Sequence, residues 1–314
     1  MILIVSTPGD EHALAVQAEL SRRKAQSKLL DLSEFPQSLG LSIRYKAGEG
    51  SFAFGCEGSS LDLEECGAIW WRRPQQPQIS SDILRTTHRH FAFNESVEAL
   101  QGLWHALQPF WINDPARDYV AQRKVYQLRV AQEVGLTVPE TLITNCTRAA
   151  GDFVRQQGAG RVIYKSFSAL ENEWRETRLL AENEVQLLDN VRYAPVIFQE
   201  YIEASVDLRV TVVGEQIFAA AVHSQDTAYK VDCRIDISNA RIEAVELPPD
   251  IQEKLLSLMG AMGLVYGAID MRRTPDGQYI FLEINPAGQW LFIEHYSKQP
   301  ITAALASKLL EHDR

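Results

Sequence analysis

The chain has 314 residues, enough for two or three domains of ordinary size, and its 41 acidic against 31 basic side chains leave a formal net charge of −10. That balance argues against a general affinity for nucleic acid or for an anionic membrane surface, although local basic patches remain open. The N-terminal run MILIVSTPGD is too brief for a signal-peptide core, no apolar stretch is long enough to span a bilayer, and Cys56, Cys66, Cys146 and Cys233 lack C-x-x-C spacing, so the expectation is a cytosolic protein with reduced thiols.

Hydrophobic periodicity alternates between strands and helices without an internal repeat, which is an α/β or α+β pattern. Ile2 to Ser6 reads as a strand, Asp10 to Arg23 as an amphipathic helix and Gln26 to Asp31 as a return strand, opening a βαβ unit. A hairpin of Leu41–Tyr45 with Ser51–Phe54 is predicted next, followed by a buried strand Ala68–Trp71 that runs into Arg72-Arg73-Pro74. A mostly apolar helix from Glu95 to Leu107 and a strand from Phe110 to Asn113 then close a first domain, residues 1–112.

Asn113-Asp114-Pro115 signals a helix start, and Ala121, Val125, Leu128 and Ala131 recur at helical spacing until Gly135, which puts Lys124 mid-helix. Thr137–Thr144 reads as a strand, Thr147–Gln157 as an N-capped helix and Arg161–Phe167 as another strand. Lys165 lies on that last strand, where an ammonium needs a partner such as a nucleotide phosphate; the plainer reading is an edge-strand lysine that discourages aggregation. Lys124 taken alone reads as a solvated helix face. The acidic run ENEWRETRLLAENEVQLLDN, residues 171–190, reads as a mobile or partner-binding segment or as a solvated helix, and it closes a second domain, residues 113–190.

The third domain, residues 191–314, regains strand character at Val196–Ile202, at Leu208–Val213 and at Ile217–His223. Asp207 and Arg209 flank Leu208 and so share a face, either as a surface ion pair or, beside a triphosphate, as a group that neutralises developing charge. The most informative stretch is GAIDMRRTPDGQYIFLEINPAGQW, residues 267–290, read as two strands joined by the turn Thr274–Gly277. If Arg273 pairs with Gln278, Asp270 stands opposite Phe281, and Asp270, Phe281, Glu283 and Asn285 project from one face, a parity that a bulge would break. Two carboxylates and an amide oxygen suit Mg²⁺, which prefers hard oxygen donors completed by water and phosphate. No Ser/His/Asp grouping stands out. His223 and His295 read as core or supporting groups, with His295 and Glu294 as possible helpers in deprotonating an incoming nucleophile.

Taken together and in this order, these residues resemble the ATP-grasp superfamily over residues 113–314. The resemblance implies an ATP-grasp fold behind an N-terminal α/β pre-ATP-grasp domain. It also implies phosphate contacts from Lys124 and Lys165, an adenine-lining hinge at Gln199, Glu200, Tyr201 and Ile202, a catalytic Asp207–Arg209 element, and metal ligands Asp270, Glu283 and Asn285 for Mg²⁺, with two ions expected. Trp70-Trp71-Arg72-Arg73-Pro74 and Glu283-Ile284-Asn285-Pro286-Ala287-Gly288-Gln289-Trp290 look like the microviridin-type, or graspetide, peptide ligases, which join Asp or Glu side chains to hydroxyls or amines of a ribosomally made precursor peptide. That resemblance implies ATP as co-substrate, a precursor peptide with a leader segment as partner, and a homodimer. Two departures accompany it: Lys165 is followed by SFSALENEWRET instead of a Gly-rich loop, and Lys230–Arg234 carries Cys233 where tryptophan is expected, with Arg234 as a further candidate for contacting substrate. The competing expectations are an ATP-grasp ligase acting on a free small molecule or a protein terminus, and a non-catalytic nucleotide-binding module.

Overall fold

A computed structural model of the protein describes residues 1–56, 59–167, 177–227, 231 and 239–313. The N-terminal part contains β1 (Ile2–Val5), α1 (Glu11–Arg22), β2 (Ser27–Leu30), β3 (Leu41–Lys46), β4 (Glu49–Cys56), β5 (Ser59–Asp62), β6 (Ala68–Trp71), α2 (Thr86–Ala106) and β7 (Phe110–Ile112). Strands β2-β1-β6-β7 form a parallel sheet and β3-β4-β5 an antiparallel one. β1 is apolar and buried along its whole length, as a strand covered on both faces must be. Asp10 caps α1 by accepting the His12 N–H, and Ala13, Val16 and Leu20 form its buried stripe. α2 begins at Thr86, ahead of the predicted Glu95, because its first half is largely exposed, Phe91 included, and has no apolar stripe to read.

The middle part contains α3 (Pro115–Ala121), α4 (Lys124–Glu133), β8 (Thr141–Thr144), α5 (Thr147–Gln157), β9 (Val162–Lys165), β10 (Arg178–Leu179) and β11 (Val196–Glu200). The single helix predicted across Lys124 is two helices broken at Gln122 and Arg123, so Lys124 opens α4 and is not mid-helix. The antiparallel sheet runs β10-β9-β11-β8, and β9 has a neighbour on each side, which removes the edge-strand reading of Lys165. Only the second half of the predicted strand Thr137–Thr144 joins this sheet; Thr137 bridges Ile280 instead, and its carbonyl accepts the Phe281 N–H. Pro139, which has no ladder donor, separates the two halves. Residues 171–176 of the acidic run lie outside the described residues. The run otherwise contributes to β10 and to a 3₁₀ stretch, Glu182–Tyr193, whose Leu188 and Val191 pack with Ala150, Phe153 and Val154.

The C-terminal part contains β12 (Val206–Val213), β13 (Gln216–Val222), β14 (Ile242–Val245), α6 (Pro249–Met262), β15 (Tyr266–Arg273), β16 (Tyr279–Asn285), α7 (Leu291–Ser297) and α8 (Ile301–Leu310). Its antiparallel sheet runs β14-β13-β12-β15-β16. Alternation along the strands divides its two faces. Val206, Leu208, Val210, Val212, Ile269, Met271 and Ile284 pack with Val130 and Ala131 of α4 and Leu255, Leu258 and Met259 of α6. On the other face Val213, Tyr266 and Ala268 join Ile2, Ile4, Trp70, Trp290, Leu305 and Leu309 in one core that fastens the N-terminal sheet to this one. No helix among the described residues is long and apolar enough to cross a membrane, and Cys66 and Cys146 are free thiols.

Candidate active site

A cleft of about 510 Å³ opens between the sheet of the middle part and that of the C-terminal part. One wall is formed by β9 and β11 with the segment that follows, presenting Lys165, Gln199, Glu200, Tyr201 and Ile202; the other is formed by β12, β15 and β16, presenting Asp207, Arg209, Asp270, Arg272, Glu283 and Asn285. Eleven of the residues singled out from sequence can be placed: all but Lys124 line this space, and Arg234 lies outside the described residues.

The β15–β16 hairpin differs from the predicted register. Arg273 pairs with Tyr279, Met271 with Phe281, Asp270 with Glu283 and Ala268 with Asn285, and the register shifts between Asp270 and Met271. Asp270 therefore stands opposite Glu283, and Phe281 turns away from the cleft into the core, fully buried. The hairpin closes through Thr274 N–H to the Gln278 carbonyl, with Gly277 at φ 89°, and the bulge at Leu282 restores Glu283 and Asn285 to the Asp270 face.

Two cross-strand ion pairs of opposite sense occupy β12 and β15. Asp207 stands opposite Arg272, with Nε to Oδ1 at 2.8 Å, and Arg209 stands opposite Asp270, with Nη1 to Oδ1 at 2.8 Å. The Arg272 guanidinium also donates to the carbonyls of Ile202 (2.7 Å) and Val231 (2.9 Å) and lies 5.4 Å from the Tyr201 ring centre, which ties the segment after β11 to this sheet. Burial is the largest influence on Asp207 and keeps its carboxyl above its ordinary value, while Arg272 and the Ser224 hydroxyl pull it down. Arg209 also donates to the Gln289 carbonyl at 2.9 Å.

Lys124 reaches the site from α4, donating from Nζ to Glu283 Oε2 at 2.6 Å. Lys165 donates to Gln199 Oε1 at 3.3 Å, and Gln199 donates onward to Thr141 Oγ1 at 2.9 Å. Asn285 Oδ1 accepts the Ala287 N–H at 3.0 Å, which shapes the loop beyond β16 and leaves that oxygen a second lone pair. No three acidic, histidine or cysteine side chains among the described residues form a ready metal cage. The donors on this wall are instead the sparse oxygen set that Mg²⁺ accepts when phosphate and water supply the rest, and the two carboxylates face the cleft half-open, so the set fits. The Glu294 carboxylate is engaged at the start of α8, where it accepts the Thr302 backbone N–H and hydroxyl, and His295 packs edge-on against Tyr296.

The N-terminal sheet holds the far side of this wall. Arg72, buried, donates from Nε to Asp10 Oδ2 at 3.0 Å and from Nη1 to the carbonyls of Ala287 and Gly288, the latter at 3.1 Å. Its guanidinium lies 5.3 Å from the Trp290 ring centre. Burial works to raise the Asp10 carboxyl, but His12, Arg72 and Ser6 outweigh it and hold the group well below the usual carboxylate range. The Tyr266 hydroxyl donates to the same Gly288 carbonyl at 2.8 Å, and burial pushes that hydroxyl up to about 12. Position 288 has to be glycine, since an added Cβ would come within 2.4 Å of Ala268 Cβ and 2.8 Å of Arg209 Nη2. Asn113 completes the frame, donating to the Tyr266 and Pro286 carbonyls and accepting the Val265 and Tyr266 N–H groups.

Sequence reasoning missed Arg272 and Asn113 as members of this frame. For Arg272 a signal existed, because it stands two residues from Asp270 on the same strand face.

The comparisons with known proteins follow the two halves of the chain. Residues 1–119 match the MvdD pre-ATP grasp domain and residues 121–309 the RimK-like ATP-grasp domain. The chain belongs to the RimK-like ATP-grasp family. It is 31% identical to macrocyclase MdnC from Microcystis aeruginosa MRC, solved with precursor peptide MdnA, over 99% of each chain with a TM-score of 0.87. It is 26% identical to a Chryseobacterium gregarium RiPP-associated ATP-grasp ligase, solved with ADP and a leader and core peptide, over 99% of this chain and 96% of that one with a TM-score of 0.90. Over 183 residues it is 25% identical to a probable alpha-L-glutamate ligase 2 of Shewanella amazonensis, covering 57% of this chain and 60% of the relative. The chain thus spans about 60% of the length of such curated relatives. The ATP-grasp resemblance and the fold expected from sequence are both present in this RimK-like chain.

Proposed function

We propose that this RimK-like chain is an ATP-dependent carboxylate ligase that crosslinks side chains of a ribosomally made precursor peptide. The observation that carries the reading is the cleft itself: Asp270, Glu283, Asn285 and Arg209 on one wall face Lys165 and the Gln199–Ile202 segment on the other. The full-length likeness to a macrocyclase crystallised with its precursor supports the peptide as substrate.

In the reaction proposed, a peptide carboxylate oxygen attacks the γ-phosphorus of ATP and ADP leaves. The resulting acyl phosphate is captured by a side-chain hydroxyl or amine, which loses its proton as phosphate departs. Mg²⁺, held by Asp270, Glu283 and Asn285, would supply charge neutralisation at the phosphate oxygens. Arg209 is a fixed cation at the edge of that donor set, oriented by Asp270 and by the Gln289 carbonyl, and it suits charge developing on the transferred group. Lys124 holds the Glu283 carboxylate in place, and Lys165 and Gln199 provide polar groups for the nucleotide on the opposite wall. Tyr201 and Ile202, tied down by Arg272, form the floor for the base. We extend the proposal to two Mg²⁺ ions, a cytoplasmic location, a homodimer, and the domain division 1–112, 113–190 and 191–314. Arg234 stays a candidate on the sequence resemblance alone.

The decisive experiment is mass spectrometry of a precursor peptide encoded beside this gene after incubation with protein, ATP and Mg²⁺. ATP-dependent loss of whole water molecules is expected. Glu283→Gln is expected to abolish both this loss and ADP release while circular dichroism stays native; retained turnover removes the metal assignment. An unchanged peptide, with ATP consumed only when free glutamate is present, favours the second reading, a ligase acting on free amino acids, which the likeness to glutamate ligases supports.

A further inference from the structure

Arg72 and Arg73 are neighbours with opposite surroundings. Arg72 is buried and bonded to Asp10 and to the loop after β16, whereas Arg73 is exposed and lines the cleft. The Arg73 side chain has no hydrogen bond or ion pair with any described residue; its bonds are those of its backbone, whose carbonyl accepts from the Gln75 amide and whose N–H donates to the Val5 carbonyl. The other cations of the cleft all have polar partners there: Asp270 for Arg209, Asp207 for Arg272 and Gln199 for Lys165.

The backbone beneath Arg73 is rigid. The N–H groups of Arg72 and Arg73 both donate to the Val5 carbonyl, each at 3.1 Å, and Pro74 follows with its fixed φ. Arg72 ties this segment to Ala287 and Gly288, so Arg73 belongs to the Asn285–Gln289 side of the cleft, away from the Glu200–Ile202 segment on the opposite wall. A guanidinium on a fixed backbone, with five N–H donors and no acid of its own, is suited to receive an oxyanion in a fork of two hydrogen bonds. Carboxylate and phosphate oxygens share that chemistry.

We infer that Arg73 is a substrate-binding residue contributed by the N-terminal domain, and that its ligand is the carboxylate of the peptide side chain to be activated. The inference rests on the ligase reading above. It gives the N-terminal sheet two tasks carried by adjacent residues: Arg72 fixes the wall and Arg73 seats the acid at it.

The test compares wild type with Arg73→Ala and Arg73→Lys, measuring KM for the precursor peptide and KM for ATP by ADP release. Loss of a charge-assisted fork is expected to raise the peptide KM about tenfold or more in Arg73→Ala, with partial recovery in Arg73→Lys and less than a twofold change in the ATP KM. A rise confined to the ATP KM would assign Arg73 to phosphate, and no change in either would leave it a solvated side chain; each result overturns the inference. If wild-type protein leaves the peptide unmodified, the macrocyclase reading itself fails. The peptide carboxylate assigned to Arg73 then takes no part in the reaction, and the inference is overturned together with that reading.

Discussion

The two ion pairs on β12 and β15 are one step apart on the same sheet face, yet they live in different media. Asp207 and Arg272 keep 8% and 6% of their side-chain surface exposed, whereas Asp270 and Arg209 keep 28% and 13%. The closed pair is saturated with further bonds, from Ser224 to Asp207 and from Arg272 to the carbonyls of Ile202 and Val231. The open pair leaves carboxylate surface facing the cleft beside Glu283. Identical chemistry two residues apart can therefore serve as a clamp in one place and as an exchangeable charge in the other, and the difference is set by what covers each pair. An ion pair sealed from water is expensive to break, while one that meets solvent can trade its partner for a cation at little cost.

The largest expected effect follows from breaking the sealed pair. Arg272→Met should destabilise the protein by about 3–5 kcal/mol, because Asp207 is left buried without its cation and two backbone carbonyls lose their donor. Urea denaturation checks this, and Asp207→Leu combined with Arg272→Met should recover part of the loss. A double variant as unstable as the single one would show that the carbonyl contacts, and not the ion pair, dominate.

The same contrast explains what could be read from the sequence. Asp207 and Arg209 share a strand face by simple alternation, and Asp270, Glu283 and Asn285 were identifiable as oxygen donors among apolar neighbours. The pairing was not readable, because it depends on which strand lies beside β12 and on a bulge at Leu282 that no local signal marks. One residue of register moved Phe281 from the cleft to the core and set Glu283 opposite Asp270. Lys124 was misread for a similar reason: the break at Gln122–Arg123 contains neither glycine nor proline, so periodicity ran through it. α6 escaped notice although Pro248-Pro249 opens it and Gly263, at φ 67°, ends it. The role of Arg72 lies furthest from sequence reasoning, since its partners Ala287 and Gly288 are more than two hundred residues away and are contacted only through their carbonyls.

Removing the cation of the open pair should act on chemistry more than on folding. Arg209→Ala is expected to lower kcat by about 10²–10³, or roughly 2.7–4 kcal/mol, if its charge meets the transferred phosphoryl group. Stability should fall less than in Arg272→Met, since Asp270 keeps access to water. Steady-state kinetics separates the roles: a raised KM for ATP with unchanged kcat would make Arg209 a ground-state nucleotide ligand and not a group used in the transfer.

Asp118 supplies the third case, an acid that is buried with no cation at all. It is 3% exposed, Oδ2 has no hydrogen-bond partner among the described residues, and only the Gln122 amide reaches Oδ1, at 2.5 Å. Burial pushes its carboxyl up from 3.8 to about 6, against the smaller downward pull of Gln122. The sign is opposite to that of Asp10. Between the unfolded and folded values the native state holds more protons, so this group's contribution to stability is complete below about pH 4 and is lost as pH rises through about 6. A shift of that size corresponds to on the order of 2–3 kcal/mol. Asp118→Asn should flatten this part of the stability curve and raise Tm relative to wild type at pH 7–8, with the difference vanishing near pH 4. Thermal unfolding across that range gives the answer. Parallel curves for the two proteins would mean that Asp118 is ionised in the folded state at ordinary carboxylate pH, and that burial without a cation costs this fold less than the contrast between Asp207 and Asp270 implies.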